Sequence, residues 1–219
     1  MFAVIFEVTP YKDRWDDYLG LAKMLRPELE AIDGFIDNER FASQRTEGRV
    51  LSLSTWRDEK AVIRWRTLAA HHAVQEKGRF EVFRDYHLRV GEFTADSDMP
   101  SGQSLLQQRL DETEVGDAKC VTISEYSSAN GRPAASDCGV PVIGQHGLLD
   151  IEVYDSIVNP GKLLVLGSRV RSVIAEAGVP KAPPQCMFRH REVRVIRDYG
   201  MRDRREAPQY YPEVDRRTP

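Results

Sequence analysis

The chain has 219 residues, 41% of them apolar and 30% charged, with a formal net charge of −3, a composition that excludes a disordered or fibrous protein and predicts packed cores. Lys and Arg are interspersed with Asp and Glu, so the basic stripe that a nucleic-acid partner requires is missing. No apolar run is long enough for a membrane span and MFAVIFEVTP lacks a secretory layout, so no membrane partner and a cytoplasmic location are expected.

Residues 2–8, FAVIFEV, are rich in β-branched and aromatic side chains and predict a first strand that ends at Thr9-Pro10. In the following stretch Trp15, Tyr18, Leu19, Leu25, Leu29 and Ile32 recur at helical intervals, predicting an amphipathic helix up to Gly34. Pro27 predicts a kink or break in it near Arg26. Residues 35–43 alternate as a strand does, Thr46-Glu47-Gly48 supplies a hairpin turn, and RVLSLSTW forms the third strand. Asp58 caps the next predicted helix, 58–78, in which Ala61, Trp65, Leu68 and His72 share one stripe. A fourth strand is expected over 85–93. The order β-α-β-β-α-β is the ferredoxin-like arrangement, with helices on one face of an antiparallel sheet.

Residues 34–55 then reappear without a gap at 147–168, at a constant offset of 113 residues, as from Gly34 to Gly147. Asp37, Glu39, Ser43, Gly48, Leu51 and Leu53 recur as Asp150, Glu152, Ser156, Gly161, Leu164 and Leu166. KCVTISEY at 119–126 and RHREVRVIRDY at 189–199 sit where the outer strands of a second copy belong. The prediction is an α+β chain of two tandem ferredoxin-like modules packing sheet to sheet as an internal pseudo-dimer: module one at 1–93, a linker at 94–118, a degenerate module at 119–200 and a tail at 201–219. Gly, Pro and Ser in 127–146 preclude a long helix there, RVRSVIAEAG gives one short helical pattern, and SLLQQRLDE a brief helix within the linker.

FAVIFEV, Gly34-Phe35, LSLSTWRDEKAVIRW and HHAVQEKGR resemble the antibiotic biosynthesis monooxygenase family of dimeric α+β barrels, well over 1–93 and partly over 119–200. The resemblance implies a small-molecule monooxygenase, in some members cofactor-free and acting on phenolic or polycyclic substrates; the alternatives it leaves open are a non-catalytic ligand-binding or accessory protein and a haem-degrading protein. The haem branch would require an Asn on the first strand and a His about ten residues after the helix Trp. Here the strand carries Phe6-Glu7 and Gln75 stands at that place, so haem is disfavoured and no cofactor is expected.

Adjacent helical residues point about 100° apart, so one of His71 and His72 faces inward, and the stripe favours His72. His72 with Trp65 is the candidate catalytic pair, His72 taking a proton from a phenolic substrate; burial statistics nonetheless favour a packing role for Trp65. Arg40, Trp56, His71 and Tyr86 are the candidate substrate-binding residues, the sidedness of Arg40, Tyr86 and His87 being left open by strand alternation. Glu7 and Glu125 read as ordinary edge or surface carboxylates. Cys120, Cys138 and Cys186, odd in number and far apart, suggest neither a disulfide framework nor a metal site. Either a monomer with its internal pair or a homodimer fits this reading.

Overall fold

A computed structural model describes residues 1–128, 131, 133–134, 138, 143, 147–172 and 186–208. The first half runs β1 (Phe2–Pro10), α1 (Trp15–Glu30), β2 (Phe35–Ser43), β3 (Val50–Trp56), α2 (Glu59–Thr67), α3 (Ala69–Lys77) and β4 (Phe83–Asp96). The second contributes β5 (Cys120–Ser127), β6 (Leu148–Ser156), β7 (Lys162–Arg169) and β8 (Met187–Gly200). The strands close one barrel in the order β1-β3-β2-β6-β7-β5-β8-β4. Within it each half keeps the ferredoxin-like order, β4-β1-β3-β2 and β8-β5-β7-β6. The halves meet by antiparallel pairing at both edges, β2 with β6 and β4 with β8, so neither sheet has a free edge. The expected face-to-face packing is thus achieved by closure, and the shared core fills the barrel.

That core holds Ala3, Ile5, Phe41, Leu51 and Leu53 from the first half against Val121, Ile123, Tyr154, Leu164 and Leu166 from the second. Each fully buried side chain of this size contributes about 1.5–3 kcal/mol. The repeated hairpins begin at Gly34 and Gly147, with φ of 95° and 69°, a region that strains any residue with a Cβ. At Gly34 a Cβ would also lie 2.7 Å from that of Ala61, so the same glycine serves the turn and the seating of α2.

The interior also holds charge, correcting the reading of Glu7 and Glu125 as edge or surface groups. Glu7 accepts from Arg89 at 2.6 Å and from the Tyr154 hydroxyl at 2.6 Å, and Arg89 reaches across to Ser168 at 2.6 Å. Glu125 lies 3.3 Å from Arg191, which donates across to Thr55 at 3.2 Å. Ser168 and Thr55 are themselves related by the offset of 113, so the two arrangements are pseudo-symmetric. Burial drives the Glu7 carboxyl toward its neutral form, but Arg89, Tyr154 and His87 outweigh it and hold the pKa below the usual range.

Three local expectations are revised. α1 continues through Pro27, because so near its C-terminus the proline removes one hydrogen bond and only the last turn follows. The 58–78 helix is two helices, α2 and α3, separated at Leu68, whose backbone is extended (φ −62°, ψ 127°). Residues 104–112 form no helix; the backbone N–H of Gln108 donates instead to the buried Glu92 carboxylate at 2.5 Å, and Arg109 pairs with Glu59 at 2.8 Å. Most of 129–146, the helical pattern beyond 172 and the tail beyond 208 lie outside the described residues. Among the described residues no helix is long and apolar enough to cross a membrane.

Candidate functional site

The first half encloses a cavity of about 570 Å³ between its three helices and the outer face of its strands. The size suits a small organic ligand. Side chains that alternate outward supply the floor, in two rows running across the sheet. One row is Arg40, Ser52, Phe6, Leu88 and Tyr199; the next is Asn38, Ser54, Val4, Val90 and Arg197. The floor is therefore polar at the β2 and β3 edge, apolar over β1 and β4, and cationic and phenolic at β8. Leu21, Leu25, Leu29, Val62 and Val74 form an aliphatic roof, and Phe83 and Phe80 add aromatic surface.

Asp58 starts α2 as the sequence predicts, its Oδ1 accepting from the Ala61 N–H at 2.8 Å. Trp65, on α2, lines the cavity and stacks on His71, with ring centroids 4.0 Å apart and planes 17° from parallel. Both histidines line the cavity, and the more buried of the two is His71 rather than His72. The break at Leu68 resets the helical phase, so a stripe extrapolated through Trp65 and Leu68 overshoots by one residue; His72 is exposed at the rim. Nδ1 of His71 lies 2.9 Å from the Trp65 carbonyl oxygen. A carbonyl only accepts, so Nδ1 carries the hydrogen and the neutral ring keeps its lone pair on Nε2. Burial, partly countered by this hydrogen bond, lowers the His71 pKa to about 4. The imidazole is thus neutral at physiological pH.

Arg40 and Tyr86 both line the cavity, and the Tyr86 hydroxyl accepts from Arg204. His87, one residue further along β4, turns to the opposite face, 2.6 Å from Asp198. Trp56 is not a lining residue: it is fully buried behind Trp65, centroids 6.5 Å apart, and its Nε1 donates to Ser54 at 2.9 Å. Its neighbours there are Phe35 and the Phe2, Leu29 and Ala61 cluster. Trp56 therefore supports the wall rather than contacting a ligand. Asn38 donates to Ser52 at 3.0 Å, fixing the polar end of the floor.

Sequence reasoning missed Asn38, Arg66, Arg197, Tyr199 and Arg204. For Asn38 the alternation of β2 carried a signal, since it shares a face with Arg40. For the last three none existed, because they belong to the other half and reach this cavity only through barrel closure. Among the described residues no three His, Cys, Asp or Glu gather as a metal site.

Comparison with known proteins fits this geometry. A curated relative, the jasmonate monooxygenase of Pyricularia oryzae, is 43% identical, the match covering 97% of this chain and 99% of that protein. Among solved structures, aldoxime dehydratase in complex with butyraldoxime superposes with a TM-score of 0.56 at 11% identity, covering 89% of this chain and 79% of that one, which is a likeness of fold. A second aldoxime dehydratase structure gives a TM-score of 0.51, also at 11% identity, over 89% of this chain and 80% of its own. The family model for antibiotic biosynthesis monooxygenases matches residues 1–77, the segment that carries β1 to α3 and both Trp65 and His71. The chain belongs to the antibiotic biosynthesis monooxygenase family.

Proposed function

We propose that this chain is a monooxygenase that oxidises a small, largely apolar molecule in the first-half cavity without a resident cofactor, with His71 as the acid-base group and Trp65 as the surface on which the reacting ring or ketone lies. The observation that carries the reading is the His71 arrangement: a neutral imidazole, its tautomer set by the Trp65 carbonyl, on a residue that lines the cavity. Such a group accepts a proton from a phenol or from a C–H beside a carbonyl, and the resulting electron-rich anion reacts with dioxygen. At a methylene the balance closes without an outside reductant. Two C–H bonds break, one oxygen atom remains on carbon as a carbonyl, and the other leaves as water with the two hydrogens.

Phenolic and polycyclic substrates fit this chemistry. Jasmonate, a cyclopentanone carboxylic acid named by the relative, also offers methylenes beside a ketone and is the first compound to assay. The test is turnover with substrate and dioxygen alone, in protein treated with chelator and free of added haem. His71→Ala lowers kcat by about 100-fold or more, whereas His72→Ala costs less than a tenth as much. Because the neutral ring is the active form and its pKa lies near 4, kcat falls only as pH drops toward that value and is flat above about pH 6. Unchanged turnover in His71→Ala, or a strict requirement for haem or metal, would overturn the proposal.

A further inference from the structure

The cavity has one end that an uncharged substrate does not explain. Five arginines and two glutamates line it, in a chain whose net charge is −3, so the positive excess is local. Of the two glutamates, Glu59 is already held by Arg109 at 2.8 Å, and Glu76 is exposed at the rim. Arg66 from α2, Arg197 from β8 and Arg204 just beyond it converge on Tyr199. The guanidinium of Arg204 lies 5.9 Å from the centre of that ring and also donates to the Tyr86 hydroxyl. The fields of all three arginines act on the Tyr199 hydroxyl, yet burial dominates and pushes its pKa up to about 12, so it remains a proton donor. Among the described residues Arg66 and Arg204 have no carboxylate within ion-pair distance, Arg197 feels only the more distant Asp111, and Nε of Arg66 and of Arg204 is buried with no acceptor.

Gathering three half-buried cations with only Asp111 near one of them is costly. The surroundings nevertheless hold Arg204 in place. Met201 N–H donates to the Tyr86 carbonyl at 3.0 Å, and Glu206 accepts from Thr113 at 2.7 Å and from the Asp198 N–H at 2.6 Å, fixing the turn that carries Arg204. We infer that Arg66, Arg197 and Arg204, with the Tyr199 hydroxyl, form a carboxylate-anchoring subsite, and that the ligand is a monocarboxylic acid whose apolar body lies over Val4, Phe6, Leu88 and Val90. Guanidinium groups suit this role because they pair with a carboxylate in a fixed two-point geometry. The second half of the chain thereby supplies the specificity of a site whose acid-base residue sits in the first.

This inference rests on the proposed cavity being the site, and its test reads binding rather than turnover. Jasmonate and octanoate, each alongside its methyl ester, are titrated calorimetrically into the full chain. Each acid is expected to bind at least about 10-fold more tightly than its ester. Arg197→Met and Arg66→Met each remove most of that preference while changing ester affinity less than about 2-fold, and Arg197→Lys retains part of it. Thermal melts confirm that the variants are folded. Equal affinity for acid and ester, equal weakening of both in the variants, or no acid binding up to millimolar concentration overturns the subsite. A preference for acids in a protein that oxidises none of them leaves the subsite standing and removes the proposed reaction; turnover of acid and ester alike does the opposite.

Discussion

Asn38, Arg40, Ser52 and Ser54 on the outer face of the first half correspond, at the offset of 113, to Ile151, Val153, Val165 and Gly167 on the second. The same four places are the polar floor of a cavity in one half and an apolar patch in the other, where Ile151, Val153 and Val165 pack with Tyr126, Leu163 and Phe188. The inner faces behave differently. Glu7, Arg89 and Ser168 match Glu125, Arg191 and Thr55, and in each set a carboxylate of one half holds an arginine that reaches into the other. Faces that must fit each other inside a closed barrel have stayed alike, whereas faces that look outward have become free to differ.

The largest expected effect tests the shared interior. Glu7→Gln leaves Arg89 buried without its counter-charge and costs about 3 kcal/mol or more in denaturant unfolding, and Glu125→Gln a comparable amount. A cost under about 1 kcal/mol for either would break the equivalence of the two pairs. The pH dependence has a definite sign. The folded pKa of Glu7 is depressed, so its stabilisation is present above the ordinary carboxyl value and is lost as pH falls through the lower folded one; the Gln variant lacks this part of the acid sensitivity.

The outer faces are probed by exchanging their residues. Val153→Arg sets a cation on the apolar patch and destabilises by about 2 kcal/mol, while Arg40→Val changes stability by less than about 1 kcal/mol and lowers affinity for the cavity's ligand, read by calorimetry. Equal stability costs would mean that the second outer face is not packed as described. The smallest effect concerns the helical cover of the first half: Asp58→Ala removes the cap of α2 and costs about 1 kcal/mol in a thermal melt. Its consequence for the site is a looser seating of Trp65.

The repeat and most strands were readable because a strand declares itself through alternation and its turns through glycine. β2 lies at Phe35–Ser43 as predicted, and Gly34 and Gly147 mark the same left-handed position in both hairpins. The break at Leu68 was not readable, since leucine is a good helix former and no Gly or Pro stands there. The local mark is Thr67, whose hydroxyl donates back to the Ile63 carbonyl at 2.9 Å in the last turn of α2, a habit that bends and ends helices. Past this break, His71 rather than His72 is the more buried histidine. Burial of Glu7 was hidden for another reason: its partner Arg89 is remote in sequence, and an isolated Glu on a strand looks like an edge residue until the pairing of β1 with β4 is known.

β4 and β8 are each 14 residues long, and the register of their pairing shifts between Val90 and Gly91, which lets the end of β8 run beneath the helices of the opposite half. In an assembly of two identical subunits, any substitution at such an overhang would appear at two pockets at once and would have to suit both. A covalently joined pair escapes that constraint. Arg197 and Tyr199 can be tuned to a single occupant. Excising the segment that matches the family would therefore yield a pocket open along one side, lacking the wall that only the downstream sequence encodes.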